Sequence, residues 1–160
     1  MQLSELKPQF VLVMGGAGSG KNHFIENNST YSTYKLIDVD AIKGELGVSA
    51  AITQIKPMLQ QSFENKENVV HTTMGVNLKA QQNKINMAHE YGYIVTLVLV
   101  DTPVEQAIDN VRNRVRKGGH DVPIENITAS NKKSRENFNV LSSLADKSVS
   151  LAERVFSLSS

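Results

Sequence analysis

Four glycines and a lysine follow a short apolar segment near the start of the chain. The segment 10–14 (FVLVM) carries no charge, and the letters GGAGSGK follow it. Gly15, Gly20 and Lys21 fit the spacing G-x-x-x-x-G-K, in which backbone N–H groups turn inward around phosphate oxygens and the lysine reaches the terminal phosphates of a nucleotide. A buried strand before the loop and a helix after it are the context that this motif requires. We therefore predict a phosphate-binding loop.

The candidate nucleotide-binding residues are those of this loop and its exit: Gly15, Gly16, Ala17, Gly18, Ser19, Gly20, Lys21 and Asn22. The last of them is unusual, because the motif has Ser or Thr there. That hydroxyl binds the Mg²⁺ that accompanies the nucleotide. With Asn22 in its place, we expect phosphate binding to survive and the positioning of the metal to change.

Two carboxylates follow a second apolar segment. Residues 35–39 (KLIDV) are typical of a strand, and Asp38 and Asp40 stand at its C-terminal end. In open parallel sheets the carboxyl ends of the strands line the ligand crevice, and residues two apart on a strand point to one side. We expect the two carboxylates to serve Mg²⁺ or to accept a hydroxyl proton, and the predicted metal ligands are Asp38 and Asn22. The alternative is that Asp40 only caps a helix that begins at Ala41.

The rest of the chain alternates strands with helices. Beyond the first two strands we predict strands at 68–73, 93–100 and 148–152, and helices from 23, over 49–65, over 75–91, from 103, and over 124–145. This alternation implies right-handed crossovers and a parallel sheet. The predicted fold class is α/β, a P-loop kinase fold with a five-stranded parallel sheet and helices on both faces. At 160 residues, one domain over 1–160 is the expectation.

Apolar stripes indicate how three of the helices pack. In 49–65, with Ser49 as a cap and Pro57 expected to kink or split the helix, the predicted inward residues are Ile52, Ile55, Leu59 and Phe63. In the helix from Pro103 they are Val104, Ile108, Val111 and Val115. In 124–145 they are Ile127, Phe138, Leu141 and Leu144.

A basic, glycine-rich segment follows the helix that starts at Pro103. Residues 117–123 read KGGHDVP, and we predict a lid over about 117–125. Three arginines precede it. On a helical wheel Arg112 and Arg114 flank the buried stripe, whereas Arg116 points away and is expected to be solvated charge.

Composition excludes several classes of function. Lys and Arg total 17 against 16 for Asp and Glu, so charge offers no general attraction for nucleic acid or acidic membranes. Without cysteine there is no disulfide, thiolate nucleophile or cysteine-based metal site. The longest apolar stretch, 94–100, is too short to span a bilayer, and the first residues lack a signal-peptide core. We expect a soluble, cytoplasmic protein with no membrane partner.

From Phe10 to Leu151 the chain resembles a small member of the zeta-toxin family of P-loop kinases. The matching segments are GGAGSGK, IDVDAIK, GYIVTLVLVDTP and RKGGHDVPIENI, together with Arg114, Ser134 and Asn137. The resemblance implies phosphoryl transfer from ATP, with Mg²⁺, to a hydroxyl of a small molecule. In the best-known members this is the 3′-hydroxyl of UDP-N-acetylglucosamine. It also raises the prospect of an antitoxin protein as a partner.

The resemblance assigns roles to individual residues. Lys21 would hold the β- and γ-phosphates, Asp40 would take the acceptor's proton, and Arg114 would stabilise the transferring group. The acceptor is expected beside four residues: Asp38, His71, Thr72 and His120.

The chain departs from the family pattern at several positions. Asn22 replaces Ser or Thr, and His71 stands where a substrate-binding glutamate is usual. Ser130 stands where a second lid arginine is expected, with Lys132 and Lys133 close by. Two alternatives therefore stay open: a polynucleotide or nucleoside kinase, and a P-loop module that binds nucleotide or another protein without catalysis.

Overall fold

The computed structural model describes residues 7–119 and 121–152. Within them the strands are β1 (Gln9–Met14), β2 (Lys35–Asp38), β3 (Val69–Thr73), β4 (Ile94–Asp101) and β5 (Lys147–Ala152). The helices are α1 (Lys21–Glu26), α2 (Val39–Leu46), α3 (Val48–Glu64), α4 (Leu78–Glu90), α5 (Val104–Arg116) and α6 (Ile124–Leu141). A short 3₁₀ turn, Tyr31–Thr33, lies between α1 and β2.

The five strands form one parallel sheet in the order β2-β3-β1-β4-β5. The central strand β1 pairs with β3 on one side and β4 on the other, and Met14 lies beside both Thr73 and Leu99. Because the strands are parallel, their carboxyl ends meet at the edge from which the glycine-rich loop departs. The predicted five-stranded parallel sheet is confirmed.

The central strand is buried on both of its faces, as its uninterrupted apolar sequence predicts. None of residues 10–14 is more than 1% exposed. Alternate residues of β1 face opposite sides of the sheet. Phe10, Leu12 and Met14 pack with residues of α3, α4 and α6, whereas Val11 and Val13 pack with Ile25 of α1. Helices therefore cover both faces, and α5 packs on α6.

The second strand is one residue shorter than predicted, because a helix begins as soon as it ends. Asp38 is the N-cap of α2, and its Oδ1 accepts a hydrogen bond from the backbone N–H of Asp40 at 3.0 Å. An N-cap carboxylate satisfies an otherwise unpaired N–H of the first turn. Asp40 thus lies in the first turn of a helix. The expectation that Asp38 and Asp40 share one side of a strand was wrong, and so was a helix start at Ala41.

The third helix is continuous, and its buried stripe differs from the predicted one. It begins after Gly47, not at a Ser49 cap, and Pro57 lies inside it without splitting it. Ile52, predicted to face inward, is 70% exposed, whereas Ala51 is 1% exposed. The buried apolar residues of this helix are spaced by four, Ala51, Ile55, Leu59 and Phe63, and Ser62 is buried as well.

The ends of two other helices, and two buried positions, also differ from the predicted ones. The fourth helix starts at Leu78 and not at Gly75, because Asn77 Oδ1 accepts from Ala80 N at 3.0 Å and caps it. The sixth helix ends at Leu141, so Leu144, predicted inward, is 39% exposed. On α5, Val115 was predicted to face inward but is 38% exposed, and the buried residues are Ala107 and Val111. Among the helices described here, none has the length and apolar character that crossing a bilayer demands.

Candidate active site

The glycine-rich loop is shaped by its lack of side chains. Gly18 and Gly20 have φ angles of 76° and 93°, a left-handed conformation that glycine adopts without steric cost. A Cβ on Gly16 would lie 2.7 Å from the backbone N of Asn131, and one on Gly18 would lie 2.4 Å from the carbonyl O of Ala107. The loop therefore packs directly against the backbones of α5 and α6.

Polar side chains from these two helices hold the loop in place. The backbone N–H of Ala17 donates to Ser130 Oγ at 3.1 Å, and Ser130 Oγ itself donates to the carbonyl of Ile127. Asn110 Nδ2 donates to the carbonyl of Gly18 at 2.8 Å. Ser130, which stands where the family resemblance expects a lid arginine, is only 7% exposed. Here that residue anchors the loop to α6.

A second set of contacts ties α6 to the end of β4. Arg135 donates to Asp101 Oδ1 from Nε at 3.1 Å and from Nη2 at 2.8 Å. Asn131 Nδ2 donates to the carbonyl of Thr102 at 2.6 Å, and Asn131 Oδ1 accepts from Arg135. Sequence reasoning singled out none of these residues. They fix the helix that borders Gly16.

Lys21 lies over the loop. Its Nζ donates to the carbonyl of Gly15 at 2.7 Å and to that of Gly16 at 3.3 Å. Burial lowers the pKa of Lys21 to about 8. The carboxylates of Asp40 and Asp38 oppose this shift, and the cations of Arg114 and Lys43 add to it. Two carboxylates and three cations therefore surround the loop.

Asp38 connects three parts of the site. Besides capping α2, its Oδ1 accepts from Thr72 Oγ1 at 3.1 Å, and its Oδ2 accepts from Asn22 Nδ2 at 3.2 Å. Thr72 is buried, at 1% exposure, and Asp38 is the acceptor of its hydroxyl. Among the described residues no group of three or more His, Asp or Glu side chains could hold a metal by themselves. A metal here would need further oxygen ligands, such as those of phosphate groups or water.

A cavity of about 1060 Å³ opens beside the loop. Five residues predicted for the site line it together: Ala17, Asn22, Asp38, Asp40 and Arg114. Three lysines that the roles above did not include also line it: Lys43, Lys132 and Lys133. Arg116 instead donates to Asn113 Oδ1 at 2.8 Å on the exposed side of α5.

The structure does not bring His71 to this cavity. Its side chain is fully buried, and its Nδ1 lies 2.8 Å from the carbonyl O of Ile37. Since a carbonyl only accepts, Nδ1 carries the proton, and Nε2 accepts from Lys84 Nζ at 2.9 Å. Burial and the charge of Lys84 lower the pKa of His71 to about 3. His71 is therefore neutral and contacts a lysine that the sequence reasoning passed over.

A signal for Lys84 was present in the sequence. On α4, Gln81, Ile85 and Ala88 are buried, and Lys84 lies beside them at helical spacing. A lysine next to a buried stripe requires a hydrogen-bond acceptor, and His71 supplies it.

His120, the fourth residue expected at the acceptor, lies outside the described residues. The predicted lid lies between α5 and α6, and its last two residues begin α6.

The family of the chain follows from its sequence. The family model described as an AAA domain matches residues 10–137, which is more than half of the chain. The chain belongs to this AAA domain family. No curated protein matches it by sequence.

Solved structures show which fold this AAA domain has. It resembles the PezAT chromosomal toxin–antitoxin system of Streptococcus pneumoniae with a TM-score of 0.72 at 15% identity, over 91% of this chain and 68% of that one. For the Pnkp1/Rnl/Hen1 RNA repair complex the TM-score is 0.69 at 17% identity, over 84% of this chain and 46% of that one. For a shikimate kinase from Aquifex aeolicus it is 0.52 at 17% identity, over 94% and 95%. At such identities the likeness concerns the fold, which is the predicted P-loop kinase fold.

Proposed function

We propose that this protein is an ATP-dependent phosphotransferase that moves the γ-phosphate of ATP to a hydroxyl group of a small molecule. The observation that carries the proposal is the cavity of about 1060 Å³, because it is lined by Asn22, Asp38, Asp40 and Arg114 together. Phosphoryl transfer asks a protein for positioning and neutralised charge more than for covalent chemistry. A glycine-rich loop beside the cavity, together with a carboxylate and an arginine that line it, meets that demand.

The loop fits the phosphates of a nucleotide. Gly18 and Gly20 have left-handed backbone conformations, and glycine-rich loops of this kind can direct backbone N–H groups toward phosphate oxygens. The Lys21 ammonium contacts the carbonyls of Gly15 and Gly16, so it needs to move little to reach an anion above the loop. At pH 7 it is charged, because its lowered pKa of about 8 still lies above that pH.

The proposed base is Asp40. Its side chain is exposed, it lines the cavity, and within the described part of the chain its carboxylate has no hydrogen-bond donor. Asp38, in contrast, accepts three hydrogen bonds. A carboxylate without donors is free to accept the proton of an acceptor hydroxyl. Arg114 lines the same cavity and would neutralise charge on the transferring group.

Mg²⁺ fits this site through Asp38, since Mg²⁺ in such sites binds one or two carboxylates together with phosphate oxygens. When bound, the ion would neutralise charge on the phosphates. Asn22 must turn its amide oxygen toward the ion, or contact it through water, because in the structure its Nδ2 faces Asp38.

For the acceptor we propose a nucleotide sugar such as UDP-N-acetylglucosamine, within a single domain whose lid spans about 117–125. The support is the resemblance of the loop, of IDVDAIK and of the GGH-containing segment to the zeta-toxin family. The fold likeness to the PezAT toxin–antitoxin system agrees with it. An antitoxin protein is a proposed partner on the same grounds.

A specific contact favours a second candidate, a module that binds nucleotide without transferring phosphate. Asn22 presents an N–H group to Asp38 at 3.2 Å, at the position where a hydroxyl ligand of Mg²⁺ is expected. A site given over to binding would tolerate this contact. The polynucleotide kinase alternative has only the fold likeness to the RNA repair complex behind it, and the net charge of +1 does not favour it.

Transfer of labelled γ-phosphate from ATP tests the proposal directly. The acceptor panel is UDP-N-acetylglucosamine, nucleosides and 5′-hydroxyl oligonucleotides. We expect a labelled nucleotide sugar, loss of the label in Asp40→Asn, and retention in Asp109→Asn, a matched change on the exposed side of α5. ATP binding by calorimetry without transfer to any acceptor would support the binding module, and absence of ATP binding would contradict both candidates.

A further inference from the structure

A second cavity, of about 440 Å³, is bordered by α2, α3 and α4. It adjoins the larger cavity, because Asp40, Lys43, Met74 and Val76 line both. Its basic residues come one from each helix: Lys43, Lys56 and Lys84. Its apolar wall includes Ile55, Leu59 and Met87. Asp40 supplies the only carboxylate among the described residues that line it.

Lys84 has no carboxylate among its hydrogen-bond partners in the described part of the chain. Its Nζ donates to His71 Nε2 at 2.9 Å and to Gln81 Oε1 at 3.0 Å, and both acceptors are neutral. In the described part of the chain the ion pairs join other residues: Lys35 to Glu67, His89 to Asp146, and Arg135 to Asp101. Lys84 is partly buried, and a cation removed from water without an anion beside it is unfavourable. This desolvation lowers the pKa of Lys84 to about 8. An anionic ligand would supply the missing charge.

His71 fixes the position of this ammonium. Its ring is stacked on Phe10, with the ring centroids 6.5 Å apart, and its Nδ1–H is bound to the carbonyl of Ile37. The ring therefore presents Nε2, its only acceptor, to Lys84. Two of the three ammonium N–H groups are bound by His71 and Gln81. The third remains for a ligand in the cavity that Lys84 lines.

We infer that Lys84, positioned by His71, binds an anionic group of the phosphoryl acceptor, so that the acceptor is a hydroxyl compound bearing a phosphate or a carboxylate. That the bound molecule is a phosphoryl acceptor rests on the proposed function, whereas the anion site itself does not. Asp40 lines both cavities. A molecule anchored at Lys84 can thus offer its hydroxyl to Asp40. That hydroxyl transfers its proton to the carboxylate, and its oxygen forms a bond to the γ-phosphorus. The bond between the γ-phosphorus and the oxygen that bridges it to the β-phosphate breaks, and ADP leaves.

The anion site has a defined pH dependence. Only the protonated amine binds an anion, and its population falls as the pH rises through about 8. Of the titratable groups around Lys84, His71 of β3 contacts it, and Asp40 and Lys43 of α2 and Lys56 of α3 line the same cavity. With a pKa of about 3, His71 does not titrate in this range. A bound anion stabilises the charged amine and so raises the pKa of Lys84.

Nuclear magnetic resonance of the full wild-type chain with labelled lysine side chains tests the site without any turnover. The signal of Lys84 is assigned by its loss in Lys84→Met. Inorganic phosphate and acetate are added separately, each up to about 100 mM, to distinguish the two kinds of anion. We expect at least one of them to raise the pKa of Lys84 by roughly half a unit or more. Lys79, exposed on the same helix and outside the cavity, should not shift.

Steady-state kinetics test the link to the acceptor. Lys84→Met should raise the KM for UDP-N-acetylglucosamine and for shikimate by roughly tenfold or more, the effect of losing one hydrogen bond to a charged group, wherever these compounds are acceptors. The KM for ATP, and that for an uncharged nucleoside, should stay unchanged. Lys79→Met is the matched control. His71→Phe, which keeps a flat ring beside Phe10, should raise KM for acidic acceptors with little change in kcat, and His71→Gln should restore part of the affinity.

The outcomes separate the two proposals. If no compound accepts phosphate, the proposed transfer is wrong, and the lysine titration still decides the anion site. If transfer occurs but neither anion moves the pKa of Lys84, or Lys84→Met raises KM for charged and uncharged acceptors alike, the anion site is wrong and the transferase stands. A shifted pKa together with a selective loss of acidic acceptors supports both.

Discussion

The proposed phosphate side of the site, which is the loop 15–21, and its proposed acceptor side, which is the cavity lined by Lys43 and Lys84, are built from different chemical groups. On the phosphate side, glycines bring the backbone of the loop within contact of α5 and α6, and a Cβ on Gly16 or Gly18 would overlap neighbouring backbone atoms. On the acceptor side, long side chains such as Lys43 and Lys84 reach over an apolar wall. Backbone N–H groups suit a phosphate chain that is the same in every reaction. Side chains suit an acceptor that differs from one enzyme to the next.

The comparison yields a general expectation. Substitutions on the phosphate side should affect transfer to all acceptors equally, whereas substitutions on the acceptor side should discriminate between acceptors. The predictions below test this division, beginning with the largest effect.

Lys21→Ala should have the largest effect, because it removes the cation that lies over the loop. We expect transfer to every acceptor to fall at least about 10³-fold and ATP binding to weaken. In the wild type, kcat/KM for ATP should fall as the pH rises through about 8, where free Lys21 loses its proton. Calorimetry with ATP and Mg²⁺ and the transfer assay measure both. Unchanged affinity together with unchanged turnover would show that the loop is not the nucleotide site.

Arg114→Ala should lower the rate of transfer about 10³-fold, within the range seen for arginines that stabilise the transferring phosphoryl group. ATP affinity should change little, because such an arginine acts mainly in the transition state. The control is Arg116→Ala, since Arg116 is exposed and bonded to Asn113. Equal rate losses for the two variants would remove the special role of Arg114.

Asp40→Asn should lower transfer by a factor of about 10² or more, as expected when a general base is lost, with nucleotide affinity retained. Asp38→Asn should act differently and mainly raise the Mg²⁺ requirement. Because Asp38 also caps α2 and binds Thr72, its variant should lose some stability as well, which thermal unfolding will show. Wild-type transfer by Asp40→Asn would mean that another group takes the proton.

The two sides also differ in how far the sequence predicted them. The local structure of the phosphate side, a strand followed by a glycine-rich loop and a helix, could be predicted because its residues are contiguous. The strand, the left-handed glycines and the lysine all lie within 9–21. The parallel sheet was predicted for the same reason, since strand-to-helix alternation is a local pattern.

The acceptor side depends on tertiary packing, which single-sequence patterns do not contain. His71 was predicted to touch the acceptor, but strand alternation puts it on the same side as Val69, inside the core that α3 and α4 cover. Lys84, 13 residues further along the chain, reaches it from α4. Likewise, Asp38 and Asp40 do not lie on one side of a strand, because Asp38 caps a helix that starts at Val39.

The smallest expected effect concerns Asn22, where the phosphate side departs from its motif. A threonine hydroxyl and an asparagine amide oxygen both bind Mg²⁺, but the amide oxygen lies one bond further from the backbone. Mg²⁺ demands near-octahedral geometry at short distance. In addition, the amide N–H of Asn22 binds the carboxylate of Asp38, so metal binding must compete with this contact. Asn22 should therefore raise the Mg²⁺ concentration that the enzyme needs.

Asn22→Thr should lower the Mg²⁺ concentration for half-maximal transfer by a few-fold, roughly three to ten, and should leave metal-free ATP binding almost unchanged. The effect should be the same for every acceptor, because the substitution lies on the phosphate side. Asn139→Thr, an exposed change on α6, is the control, and a Mg²⁺ titration of the three proteins makes the comparison. If neither the wild type nor Asn22→Thr transfers phosphate although both bind ATP, the binding module is favoured. If the wild type is already saturated at low Mg²⁺ and Asn22→Thr needs no less, Asn22 does not weaken Mg²⁺ binding. If the effect of Asn22→Thr differs between acceptors, the division between the two sides is wrong.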